Sequence, residues 1–249
     1  MKTIDLEIRF KGTVIPISYK LDDNFRSYFI RQFGVADAGF NDNDLLAKMH
    51  DMVNGTMHFI LDNIQLPDNP VIIDIGAGNS LVDLALSKHL GPGPEFILID
   101  GDGDGNNTNL SIHSREFLTY NSWQMVNDAI QLSGLDSSAF SMHGIDYAFD
   151  KPADLIISTN SWGLHYPIDV YLDKVVRALK PGGHLVIFPV INLNGYKEAV
   201  SAVLDNLSIE PDGDWMRSST EWPKWQAYFP DVSDDFELVH KCIWQKPMI

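Results

Sequence analysis

The chain is poor in cysteine and in positive charge, and it lacks any long apolar run. Its single cysteine among 249 residues, Cys242, excludes an internal disulfide framework and fits a reducing, cytoplasmic setting. Lys and Arg number 18 against 34 Asp and Glu, a formal net charge of −16. A polyanion needs clustered Lys and Arg, so nucleic acid is not an expected partner. The charge serves solubility and leaves neutral or cationic small molecules as the easier ligands. No segment approaches the ~18 apolar residues of a membrane span, so no membrane partner is expected. The opening "MKTIDLEIRF" alternates apolar and polar residues instead of forming a block, and no signal peptide is visible. A homo-oligomer is left open.

What is present reads as one globular domain with additions, or at most two. Ile4, Leu6, Ile8 and Phe10 alternate with polar residues, and Lys11-Gly12 makes a turn, which predicts a β-hairpin over 3–19. Helical segments follow at about 24–33 and 42–64. Together these form an N-terminal cap, residues 1–66, expected to close over an acceptor. Pro67 and Pro70 mark the boundary with a second region, 67–249.

From Val71 onward, short apolar runs alternate with helix-like stretches. Strands are expected at 71–75, 95–99, 139–142, 154–158 and 184–190, and helices at 80–90, 122–132, 168–179 and 195–207. This alternation implies an α/β, doubly wound, mostly parallel sheet with helices on both faces. Ser80 and Asp83 make a short capping-box variant, and Lys88, His89, Gly91 and Pro92 give a stop. "KPGG" at 180–183 ends the later helix. A Pro- and Trp-rich insertion at about 208–232 precedes a last strand, "FELVHKCIW", which an open sheet can take as an antiparallel addition.

Two acids stand at the ends of consecutive strands. "VIIDIGAGNS" places Asp74 near the end of the first, ahead of Gly76 and Gly78; "FILID" places Asp100 at the end of the second. The aspartates of "DGDGDGNNTNLS" imitate a calcium loop. Position 12, counted from Asp100, is however Ser111 instead of a bidentate Glu, and a strand precedes the loop where a helix is needed. Asp100 is better explained as an acid that accepts both hydroxyls of a ribose in the crevice beyond the strand ends. Asp102 and Asp104 read as solvated loop residues. A dinucleotide site wants Gly at the third position of G-x-G-x-x-G, and Leu81 stands there. Asp74 would also repel a pyrophosphate, whereas a phosphate-free cation such as S-adenosyl-L-methionine suits an acidic pocket.

"VIIDIGAGNS" and "ILID" resemble the first two motifs of class I S-adenosylmethionine-dependent methyltransferases. "ADLIISTNSWGLHYPIDVYLDKVVRALKPGGHLVIF" is similar to their fourth-strand, helix and fifth-strand stretch. The resemblance spans about 71–190. It implies a seven-stranded sheet with one antiparallel strand and the cofactor over the carboxyl ends of the first strands. It also implies that Asp74, Gly76, Ala77, Gly78 and Asn79 line the methionine and ribose portion. Asp100 and Gly101 would meet the ribose and adenine, Ile145 and Asp146 of "HGID" the adenine, and Asn160 the methionine end. Gly101 departs from the bulky residue of many relatives, and the connection 101–121 is long for a loop of this kind.

Methyl transfer is an in-line displacement that depends on positioning, and an oxygen acceptor also needs a base. His165, in "SWGLHYP", follows the fourth strand where an acceptor would approach, and an imidazole pKa of ~6.5 suits that role. The competing reading is a packing or hydrogen-bonding histidine. His143 and His113 are weaker candidates, and His240 reads as a strand-face residue. "TNSWG" lacks both prolines of the N-P-P-Y motif of amino methyltransferases on bases. Asn160 and Asn192 lack the acids of a catecholate-type magnesium site, so no metal is expected. Trp162, Tyr166, Trp215, Trp222, Trp225 and Tyr228 could line an acceptor pocket for a sugar or planar metabolite, or could simply pack. "SWGLHYP" faintly resembles bacterial sugar O-methyltransferases. The expected enzyme methylates a small molecule at oxygen. An N-methyltransferase and a non-catalytic S-adenosylmethionine-binding protein are the alternatives.

Overall fold

The computed structural model describes residues 2–21, 42–101, 122–159, 161–162, 168–190, 199–211 and 240–248. Strands β1 (Lys2–Phe10) and β2 (Thr13–Leu21) form the expected antiparallel hairpin. Its turn puts Lys11 at φ 46° and Gly12 at φ 82°, the doubly left-handed turn whose twist matches that of the strands. Alternation decides the faces: Ile4, Leu6, Ile8, Phe10, Ile15, Ile17 and Tyr19 are all buried. Helix α1 (Asp42–Asn63) buries Met49, Val53, Met57 and Ile60, with Ile64 just beyond its end, the 3.6-residue stripe of a helix lying on a core.

The remaining order is β3 (Val71–Ile75), α2 (Leu81–Leu90), β4 (Glu95–Ile99), α3 (Trp123–Leu132), β5 (Phe140–His143), β6 (Ala153–Thr159), α4 (Ile168–Ala178), β7 (Leu179–Val190), β8 (Asp205–Pro211) and β9 (His240–Gln245). Seven strands make one sheet in the order β5-β4-β3-β6-β7-β9-β8. The pairs among β3 to β7 are parallel, and β9 runs antiparallel to both β7 and β8. This is the doubly wound sheet with one reversed strand. The chain enters at β3, winds outward to β5, and returns to the other side of β3 as β6. That reversal opens a crevice at the carboxyl ends of β3 and β6.

Alternate residues of each strand feed two cores. Ile72, Phe96, Leu98, Leu155 and Ile157 face one way, together with α1, α2, α3 and the hairpin. Ile73, Ile75, Ile97, Ile99 and Ile156 face the other, against Tyr171 and Val175 of α4. Within the N-terminal region, β2 packs on α2 and α3, and β1 on α1.

Two local expectations change. The helix predicted over 195–207 ends early: residues 199–201 are helical, the chain turns at 202–204, and β8 begins at Asp205. Residues 208–211, assigned to the insertion, are therefore sheet. Pairing with β9 overrides the local pattern, because Leu207 and Ile209 alternate with polar residues and a sheet edge was available. The "KPGG" stretch does end α4, and it then forms an irregularity within β7. Ala153 pairs with Leu179 and Leu155 with His184, so four residues bulge opposite Asp154. Asp154 closes that bulge by accepting from the Val71 backbone N–H (2.8 Å) and from Lys180 Nζ (2.7 Å). The predicted helix at 24–33 and residues 236–239 of the last strand lie outside the described residues.

Candidate cofactor site

The chain leaves β3 through Gly76 at φ 78°, and both Gly76 N–H (2.7 Å) and Ala77 N–H (3.1 Å) donate to the Ile99 carbonyl at the end of β4. The loop is thereby tied to its neighbouring strand. Gly78, at φ 55°, donates its N–H to Asp100 Oδ2 (2.6 Å), and Gly101 N–H donates to Asp100 Oδ1 (2.6 Å). Asp100 N–H in turn donates to the His143 carbonyl (3.1 Å), joining the end of β4 to that of β5. Each Asp100 oxygen keeps a lone pair beyond these bonds. Burial pushes the Asp100 carboxyl up to about 6, against the opposing pull of the two N–H donors.

Gly76 is needed for a close approach. A Cβ there would stand 1.9 Å from Ser161 Oγ, so the loop after β6 rests directly on the loop after β3. Ser158 fastens the same junction, donating to the Ile75 carbonyl (2.8 Å) and accepting from Trp162 N–H (2.9 Å). Trp162 is buried and meets Tyr171 of α4 edge-on at 6.0 Å. It packs in the core. Tyr171 donates its hydroxyl to the Ile145 carbonyl (3.4 Å). Burial first, and then the negative charges of Asp100 and Asp146, push that phenol up to about 12. Both acids therefore act on one hydroxyl, with Ile145 buried and Asp146 exposed beside it.

The expected capping box does not form. Ser80 sits at φ 56°, ψ 30°, in the left-handed region, and makes no side-chain cap bond. A capping serine needs extended backbone to aim its oxygen at the first-turn amides. Asp83 is instead fully buried beside Asp74. Among the described residues, the buried side-chain atoms without a partner are Asp74 Oδ1, Asn79 Nδ2, Ser80 Oγ and both Asp83 oxygens, with only Asn54 and Trp244 elsewhere. Such atoms are costly in a folded interior, and they concentrate at residues 74–83. Burial, and then Asp83, drive the Asp74 carboxyl well above its ordinary range; Asp83 itself is raised to about 7 by burial, against a bond from Asp74. The two adjoining carboxyls therefore resist being ionised together.

Asp74, Gly76, Ala77, Gly78, Asn79, Asp100 and Gly101 thus converge, with Ile145 and Asp146 on the adjoining loop. Asn160 and His165 lie outside the described residues. So do His113, Tyr166, Asn192, Trp215, Trp222, Trp225, Tyr228 and the loop 102–121. His143 packs against Tyr147 with the rings tilted and their centroids 4.4 Å apart. Sequence reasoning missed Asp83, Ser158 and Ser161. An acid inside the apolar run "LVDLALS" was the available signal for Asp83, whereas the serines carried none. A hollow of about 410 Å³ opens near Asp154, Lys180, His184 and Gln245, at the amino ends of β6 and β7. Several of its polar groups pair with one another: Lys180 with Asp154, and Gln245 with His184 and the Gly182 carbonyl. The unpartnered atoms lie at the glycine loop instead.

No protein-family model matches the chain, and no curated protein matches its sequence. Solved structures do match in three dimensions. A geranyl diphosphate methyltransferase, in complex with GPP and sinefungin, is 13% identical with a TM-score of 0.56, over 87% of this chain and 85% of its own. The chain described as a methyltransferase in complex with the Trm112 methyltransferase activator of Haloferax volcanii is 17% identical, TM-score 0.52, over 92% and 100%. The 4+2 cyclase SpnF is 14% identical, TM-score 0.51, over 91% and 96%. The chain has the Rossmann-like fold of class I S-adenosylmethionine-dependent methyltransferases.

Proposed function

We propose that this chain is a methyltransferase that binds S-adenosylmethionine at the glycine loop and methylates a small molecule at oxygen, with a sugar or glycan precursor as the acceptor class. One observation carries the reading. Asp74 and Asp100, at neighbouring strand tips, are joined by a loop that leaves Asp74 without a donor while Asp100 keeps free lone pairs. An ammonium supplies what Asp74 lacks, and ribose hydroxyls suit Asp100. A pyrophosphate would lie against Asp74 and Asp100, which disfavours a dinucleotide.

Bound there, S-adenosylmethionine would supply an electrophilic methyl group. Asp74 and Asn79 would hold its methionine end together with Asn160, Asp100 and Gly101 its ribose, and Ile145 and Asp146 its adenine. His165 would take the proton of the acceptor hydroxyl as the new O–C bond forms and the S–C bond breaks. The acceptor assignment rests on His165, on the late aromatic residues and on the resemblance at "SWGLHYP". A nitrogen acceptor needs no such base. The reading also carries a cytoplasmic location and a small-molecule partner.

A second reading has its own support. The cyclase SpnF shares this fold, so the fold also accommodates chemistry other than methyl transfer, and a chain that binds the cofactor without transferring is the alternative. Isothermal titration with S-adenosylhomocysteine and with NADH tests the site. Micromolar binding of the first and none of the second is expected, with Asp100→Ala binding at least tenfold more weakly. The reverse preference would refute the reading. Turnover across a panel of hydroxylated metabolites then separates enzyme from binder. His165→Ala should lose about 10²-fold or more in kcat; full rate across pH 6–9 would retire the base.

A further inference from the structure

We propose that Tyr19, on the N-terminal hairpin, is a positioning residue for the glycine loop, so that the hairpin braces the cofactor site from behind. Tyr19 is fully buried, and its hydroxyl donates to the Asn79 carbonyl at 2.8 Å. The same peptide unit carries the Ser80 N–H, which donates to the Ala77 carbonyl at 2.7 Å. That peptide plane is therefore held at both ends. It precedes Ser80, a non-glycine residue in the left-handed region at φ 56°, a conformation that persists only where the surroundings restrain it. One residue earlier, Gly78 N–H is bonded to Asp100 Oδ2. Release of the Asn79 carbonyl lets the peptide rotate and draws the Gly78 N–H off the acid assigned to the ribose.

The hairpin is built to hold Tyr19 in place. Alternation puts residue 19 on the inward face with Ile15 and Ile17, paired across the ladder with Ile4. On either side of it, Ser18 N–H donates to Ser133 Oγ (3.0 Å) and Lys20 forms an ion pair with Asp128 of α3. The strand is pinned to α3 by the residues flanking the tyrosine, and the hydroxyl reaches the loop between them.

The ligand side of this inference rests on the proposed binding of S-adenosylmethionine. Tyr19→Phe keeps the ring and deletes only the hydroxyl. Loss of one buried hydrogen bond to the loop should raise the Kd for S-adenosylhomocysteine five- to tenfold. It should also speed hydrogen exchange of amides 76–84 in the free protein. Lys20→Ala loosens β2 from α3 without touching the loop; it should lower Tm yet leave that Kd within twofold, a split that a purely structural role for Tyr19 does not produce. Tyr19→Phe with Kd within twofold of the parent and unchanged loop exchange overturns the brace. If the parent itself binds no S-adenosylhomocysteine, the proposed function fails on its own. Loop exchange then decides the brace alone: faster exchange upholds it, and unchanged exchange removes it.

Discussion

Asp83 lies in the first turn of α2, fully buried beside Asp74, so its contribution to stability depends on pH. Its carboxyl is raised from the ordinary 3.8 to about 7 in the folded chain, and that of Asp100 to about 6. Between roughly pH 4 and 7 the folded state then binds more protons than the unfolded one, and stability falls as pH rises through that window. Asp83→Asn removes the ionisation and supplies a donor for Asp74. Thermal melts should show the variant more stable at pH 8 by about 1–3 kcal/mol, with a flatter dependence between pH 5 and 8. A parallel pH profile for parent and variant would be incompatible with the buried pair. Asp74 and Asp100 were legible in sequence because each stands at the end of a short apolar run. Asp83 was not, because an acid in a first helical turn reads as a cap. Ser158 and Ser161 gave no local sign, since Ser158 bonds a carbonyl 83 residues away and Ser161 abuts Gly76.

At the scale of elements, the hairpin is as much part of the core as the sheet. Ile8 is fully buried, pairs with Ile15 and belongs to the same apolar cluster as Ile72 and Leu98. Ile8→Ala should therefore cost about 2–5 kcal/mol in urea unfolding, through lost transfer energy and a residual cavity. A separately folding cap would show a second, earlier transition, and a single cooperative one is expected. The alternation that made the hairpin visible in the sequence is local, as is the stripe of α1. The fate of residues 195–207 is not local, because β8 exists only where β9 offers an edge. Likewise "KPGG" reads locally as a helix stop, and the bulge it forms depends on Asp154.

For the whole molecule, the topology places the site. Winding out from β3 and returning as β6 leaves the crevice where the loops after β3, β4 and β6 meet, and Gly76, Asp100 and Ser161 all lie there. The acidic balance of −16 accords with the cationic ligand proposed for this crevice.

By itself the sequence determined the hairpin, the alternating elements from β3 to β7, the parallel sheet, the glycine turn and the two strand-end acids, because each follows from a period or a spacing within one short segment. Tertiary structure alone decided which polar atoms are left without partners, that Ser161 demands a glycine at 76, and that a tyrosine from the hairpin reaches the loop. Those facts depend on groups far apart in the chain that only the folded packing brings within hydrogen-bond distance.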